Sequence, residues 1–125
     1  MSAISTHVLD IAAGRPAAGM RVRLERIVPA GEQQVASEEQ VAAATTDADG
    51  RIAELGPAII AAGTYRLIFD TGGYLAQQGA GSDGNGINVA FFPEVTVTFA
   101  VADGRDHYHV PLLMSPFGYS TYRGS

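Results

Sequence analysis

Three histidines and one arginine are the side chains of this sequence best suited to moving protons and holding charge. His107 and His109 stand two residues apart in a stretch that alternates like a strand. A strand advances about 3.4 Å per residue and sends alternate side chains to one face, so the two imidazoles share a face roughly 7 Å apart. His7 sits in the first apolar stretch, and Arg51 follows the turn Asp47-Ala48-Asp49-Gly50. An imidazole accepts or donates a proton near neutral pH. A guanidinium stays charged and offers a planar fork of donors, which suits it to carbonyls and to negative charge on oxygen. Taken alone, His7 is a histidine at a strand end and Arg51 a solvated arginine after a turn. A second chemistry is open to the same residues. Three histidines, two of them as His-x-His on a strand, match the ligand count of some zinc hydrolases, but every histidine of the chain would have to serve.

These residues need strands to position them. Ile4 to Leu9 reads as a first strand with Ser5, His7 and Leu9 on one face, broken by Asp10 and Gly14-Arg15-Pro16. Met20, Val22 and Leu24 alternate with Arg21, Arg23 and Glu25, the pattern of a half-buried strand. Pro29-Ala30-Gly31 reads as a turn, and Gln34 to Thr46 as a more polar strand near an edge. Its alanine-rich middle, Val41 to Ala44, is assigned to strand because Asp47 to Gly50 turns tightly into Arg51 and Ile52. Tyr65, Leu67 and Phe69 point inward. Asp70 to Gln78 holds one short helix with Asp70 or Thr71 as N-cap. Gly79 to Asn88 reads as a loop. Val95, Val97, Phe99 and Val101 form a clear strand, and Asp103-Gly104 turns the chain into the histidine strand. There Tyr108, Val110, Leu112 and Met114 fill the core face. Pro111 cannot donate to a ladder, so the strand is an edge or bulged at that point. Short strands, frequent turns and little helix predict an antiparallel sandwich.

Composition narrows the function classes. The 125 residues predict a single domain, residues 1–125, large enough to bury a core. With no cysteine, disulfides and thiolate zinc sites are excluded. All eight basic residues are arginine, so Schiff-base chemistry on lysine and a phosphate-loop lysine are excluded too. A net charge of -5 speaks against sequence-independent nucleic-acid binding. No stretch approaches the ~20 apolar residues of a membrane span, and the start of the chain lacks a signal-peptide pattern. The expectation is a cytoplasmic protein with neither a nucleic-acid nor a membrane partner.

The longest motif closes the sequence. His107-Tyr108-His109-Val110-Pro111-Leu112-Leu113, then Ser115-Pro116-Phe117-Gly118-Tyr119-Ser120-Thr121-Tyr122-Arg123-Gly124-Ser125, resembles the C-terminus of the transthyretin-like 5-hydroxyisourate hydrolases. In that resemblance the final Tyr-Arg-Gly-Ser separates the enzymes from the hormone carrier transthyretin. Thr6-His7-Val8-Leu9-Asp10 with Gly14 and Pro16, the Asp-Gly-Arg turn, and Phe92-Pro93-Glu94-Val95 extend it along nearly the whole chain.

The resemblance implies an all-β, transthyretin-like sandwich of two sheets with one short helix and seven or eight strands. It implies a homotetramer, a dimer of dimers, with sites in a channel where subunits meet. The implied reaction is cofactor-free hydrolysis of 5-hydroxyisourate to 2-oxo-4-hydroxy-4-carboxy-5-ureidoimidazoline in urate degradation. His7, Arg51 and His109 are the implied catalytic residues. Ser120, Tyr122, Arg123 and Ser125 are the implied substrate contacts. His107 takes a supporting or solvated role and Asp10 a structural one. A transthyretin-like ligand carrier and a three-histidine metal hydrolase are the competing readings, both ranked lower.

Overall fold

Alternating apolar residues over short segments give strands, and the computed structural model builds ten of them with one helix among the described residues, 2–28, 30, 37–79 and 90–125. The first strand, β1 (Ile4–Asp10), is the centre of one sheet. On one side it pairs with two short pieces, β2 (Arg15–Pro16) and β5 (Arg51–Ile52). On the other it pairs with β8 (Tyr108–His109) and β9 (Leu112–Ser115), and β10 (Gly118–Thr121) continues from β9. The second sheet runs in the order β4 (Ser37–Thr45), β3 (Arg21–Val28), β6 (Gly63–Phe69), β7 (Val95–Val101), all antiparallel.

The core lies between the sheets. Ile4, Val8, Leu112 and Met114 from the first meet Val22, Leu24, Leu67 and Phe69 from the second, all essentially buried. Burying such a side chain is worth about 1.5–3 kcal/mol, so period-two alternation decides which face each strand turns inward. The alanine-rich run Val41 to Ala44 is strand, as expected, because pairing with β3 overrides the helix propensity of alanine.

The helix, α1 (Thr71–Gln77), is capped by Asp70, whose carboxylate accepts from the Gly73 N–H at 3.0 Å. It turns Tyr74 into the core. The Tyr74 hydroxyl donates to Asp10 at 2.8 Å, and the Ala13 N–H donates to the other Asp10 oxygen. A hydrogen bond to a charged group is worth about 1.5–3 kcal/mol. Burial first, then this bond, pushes the Tyr74 pKa up to about 12. Asp10 therefore ties the end of β1 to the helix, a structural role.

Two expectations need correction. The strands number ten among the described residues rather than seven or eight, because β2, β5 and β8 are two-residue pieces that alternation does not reveal. The sandwich is not wholly antiparallel, since β1 runs parallel to β8 and β9. The chain leaves the second sheet after β7 and crosses to the first, entering beside β1 in the same direction. The crossing turn is tied by the Tyr108 hydroxyl, which accepts from the N–H groups of Ala102 and Asp103. Pro111 falls between β8 and β9, where the ladder is interrupted, as a residue without an N–H requires. Pro29, Gly31, the first residues of the expected strand from Gln34, and positions 80–88 of the glycine-rich stretch lie outside the described residues.

Candidate active site

The turn before β5 is the first device that builds the site. The Asp47 carboxylate accepts from the N–H groups of Asp49 and Arg51 at 2.9 and 3.0 Å. Gly50 closes the turn at φ +75°, and a Cβ there would run into the Val8 carbonyl oxygen. The Val8 N–H in turn donates to the Gly50 carbonyl at 2.7 Å. The turn is thereby seated on β1, and Arg51 becomes the register partner of His7. Residues directly opposite in an antiparallel pair point to one face with Cβ atoms about 4.5–5.5 Å apart. The His7 Nε2–H donates to the Asp49 carbonyl at 2.9 Å, which leaves Nδ1 as its bare nitrogen when neutral.

The second device is the parallel pairing of β1 with β8. Ser5 is the partner of His109 and lies two residues from His7 on the same face. The Ser5 hydroxyl lies 2.8 Å from His107 Nε2 and 2.8 Å from His109 Nδ1. The His107 Nδ1–H donates to the Ser2 carbonyl at 2.9 Å. His107 and His109 thus share one face, and one hydroxyl joins them.

The third device is the tail. Gly124 forms an antiparallel bridge with His109, its N–H donating to the His109 carbonyl at 2.8 Å. A Cβ on Gly124 would sit 2.5 Å from His109 Cδ2, so the tail lies directly against the imidazole and only glycine fits. Ser125 then borders an open cleft of about 500 Å³ lined also by Ser5, Arg51, Glu54, His107 and His109.

His109 is half-buried at this cleft. Burial first, then the Arg51 cation, then His107 and His7, hold its pKa below the usual histidine value. The cleft therefore combines a neutral imidazole, a permanent cation and a second imidazole, a set able to take a proton from water and stabilise an oxyanion.

The remaining expected site residues divide. Ser120 is the register partner of Leu113, which pairs with Leu9, so it shares the sheet face of His7 at some distance from the histidines. Tyr122 follows the end of β10, is exposed, and borders a smaller cleft of about 150 Å³ with Val97, Phe99 and Tyr108. The Arg123 guanidinium lies 4.5 Å over the Tyr108 ring, on the opposite side of the strand from the imidazoles. That cation–π contact is worth about 0.5–1 kcal/mol at an exposed site. Ser5 is the residue that sequence reasoning passed over, although its place two before His7 was the available signal. Among the described residues no three or more His, Cys, Asp or Glu side chains gather to share a metal ion.

Comparison with known proteins shows the family. Residues 4–124 match the HIUase/Transthyretin family. The 5-hydroxyisourate hydrolase of Caulobacter vibrioides is 43% identical over 125 residues, covering 100% of each chain. The structure of Klebsiella pneumoniae 5-hydroxyisourate hydrolase superposes with a TM-score of 0.77 at 38% identity, covering 99% of this chain and 100% of that one. Sea bream transthyretin in complex with thyroxine superposes with a TM-score of 0.75 at 29% identity, covering 98% of this chain and 94% of that one.

Proposed function

The chain belongs to the HIUase/Transthyretin family and hydrolyses 5-hydroxyisourate, and we propose that it does so with His7, Arg51 and His109 as its catalytic residues. The observation that carries this assignment is their convergence on one face around β1, with His109 biased toward its neutral form. Water adds to a ring carbonyl while His109 takes its proton. The tetrahedral oxyanion forms beside Arg51, whose charge is already in place. The six-membered ring then opens to 2-oxo-4-hydroxy-4-carboxy-5-ureidoimidazoline as the departing nitrogen takes a proton. His7, acting in its doubly protonated form, supplies that proton from Nδ1 and is left neutral, with its Nε2–H still committed to Asp49. General acid–base groups placed this way contribute about 10²–10⁴-fold.

Ser125 at the cleft and Ser120 and Tyr122 farther along the sheet are proposed substrate contacts. Arg123 is proposed to serve the substrate through the tail it anchors on Tyr108. Residues 1–125 work as one hydrolase domain in this reading. It also includes a homotetramer, a dimer of dimers, supported by the open cleft and by Phe91 and Phe117, 70% and 73% exposed. Large apolar side chains left in water favour association. A cytoplasmic location completes the reading; among the described residues no helix is long and apolar enough to cross a membrane.

The test is to generate the substrate in situ from urate and follow its ultraviolet decay with and without the protein, and again after chelation. Decay accelerated by the protein and unaffected by the chelator is the expected result. Activity abolished by the chelator and restored by zinc would instead promote the metal-dependent reading.

A further inference from the structure

The hydrogen bonds around Ser5 fix which nitrogen of each neighbouring histidine carries its proton. The Ser2 carbonyl only accepts, so His107 Nδ1 carries a proton. A neutral imidazole has one N–H, so His107 Nε2 accepts, and its donor is the Ser5 hydroxyl at 2.8 Å. Ser5 has one hydroxyl proton and has now used it. Its oxygen must therefore accept from His109 Nδ1, also at 2.8 Å. His109 is left with Nδ1 protonated and Nε2 bare. The order runs Ser2 carbonyl, His107, Ser5, His109, each link donating toward Ser2.

We propose that His107 and Ser5 are positioning residues that hold His109 in the Nδ1–H tautomer, so that Nε2 is the nitrogen free to take a proton from water. The inference rests on the assignment of His109 as the base and adds what keeps it in the competent form. Which ring nitrogen is protonated is set by the hydrogen bond the other makes. Without that control a neutral imidazole divides between two tautomers, one of which presents an N–H where the base needs a lone pair. The surroundings favour such control. Ser5 is 7% exposed, and its partners are fixed by strand pairing on one side and by a backbone carbonyl on the other. Loss of the chain does not remove the base but lets it rotate its proton to the wrong nitrogen. The expected loss is therefore smaller than that of deleting His109.

Nitrogen-15 NMR of histidine-labelled protein at about pH 8, where histidine is mainly neutral, reads the tautomer directly. Single histidine substitutions assign the three rings. In the natural protein His109 is expected with Nδ1 protonated and Nε2 bare, and His107 likewise. Ser5→Ala should shift His109 toward its Nε2–H form and lower kcat about tenfold, with KM and Tm little changed. His107→Ala should do the same, because the freed Ser5 proton turns to His109 Nδ1. Ser5→Thr, which keeps the hydroxyl, should retain the native tautomer and most of the rate. An Nε2–H His109 in the natural protein overturns the inference without any variant having to fold, and so does an unchanged tautomer in a folded Ser5→Ala. Because the tautomer is read from nitrogen resonances, its failure is separate from failure of the catalytic assignment. The latter would show as an unimpaired His109→Ala enzyme.

Discussion

His109 is pressed toward neutrality from several sides: burial is the largest influence, followed by Arg51 and the two other imidazoles. In the free enzyme kcat/KM reports the base that must be unprotonated. Its acid limb is therefore expected below the ordinary histidine value of about 6.5. Arg51→Gln removes one of the depressing charges, so the limb should move up toward that value in a pH–rate profile. The same shift bears on stability. A depressed folded pKa means that the contribution of His109 is complete above its unfolded value and is lost as pH falls through the lower folded one. Arg51→Ala, His7→Ala and His109→Ala should each cut turnover by about 10²–10³, the usual cost of losing one group that stabilises the transition state. Initial rates of substrate decay, with thermal unfolding as the control for fold, check this. His107→Ala should be clearly milder. At this scale much was legible beforehand. The His107/His109 face and the inward Tyr108 follow from period-two alternation. The bridging role of Ser5 was not legible, because it depends on which residue a hundred positions away becomes its strand partner.

The strand and the turn, rather than any one side chain, set the distances in the cleft. β1 supplies Ser5 to it and holds His7 beside it on the same face, the Asp47–Gly50 turn supplies Arg51, β8 supplies His109, and the tail closes over His109. Gly124→Ala is the sharpest test of that arrangement. Its new Cβ would meet the imidazole ring, so either the tail or the ring must move. A fall in kcat of about tenfold or more is expected, with a Tm close to that of the natural protein, since a 1 Å misplacement can cost as much as 10²-fold. Removing residues 123–125 should also impair activity more than stability. The deletion forfeits one cation–π contact and one bridge, both at the margin of the core. Comparing rate and thermal midpoint for the two variants decides whether the tail is a catalytic wall or a structural brace. The turn Asp47–Gly50 and the helix cap at Asp70 were readable from local turn and cap chemistry. The parallel pairing of β1 was not, because a strand's own residues do not say in which direction its neighbour runs.

At the scale of the molecule, the cleft is open to solvent and apolar side chains stand outside it. Phe92 makes edge-on contacts with Phe91 and Tyr119, forming an aromatic patch beside β10. In the proposed tetramer such surfaces meet another copy, and specific activity should fall on dilution as the assembly dissociates. Sedimentation of the same dilution series checks this, and fully active monomers would contradict it. The mixed sheet has a further consequence, which concerns the order of events when the chain folds. Ser5 and His109 are 104 positions apart, whereas β3 pairs with the next strand in sequence, β4. Closing a long loop costs entropy before any contact repays it, and distant pairings form slowly. The β3–β4 hairpin can therefore form while β1 still lacks β8 and β9. During refolding, catalytic competence should arrive after most of the strand signal in circular dichroism, because the base is in place only once the most distant parts of the chain have met.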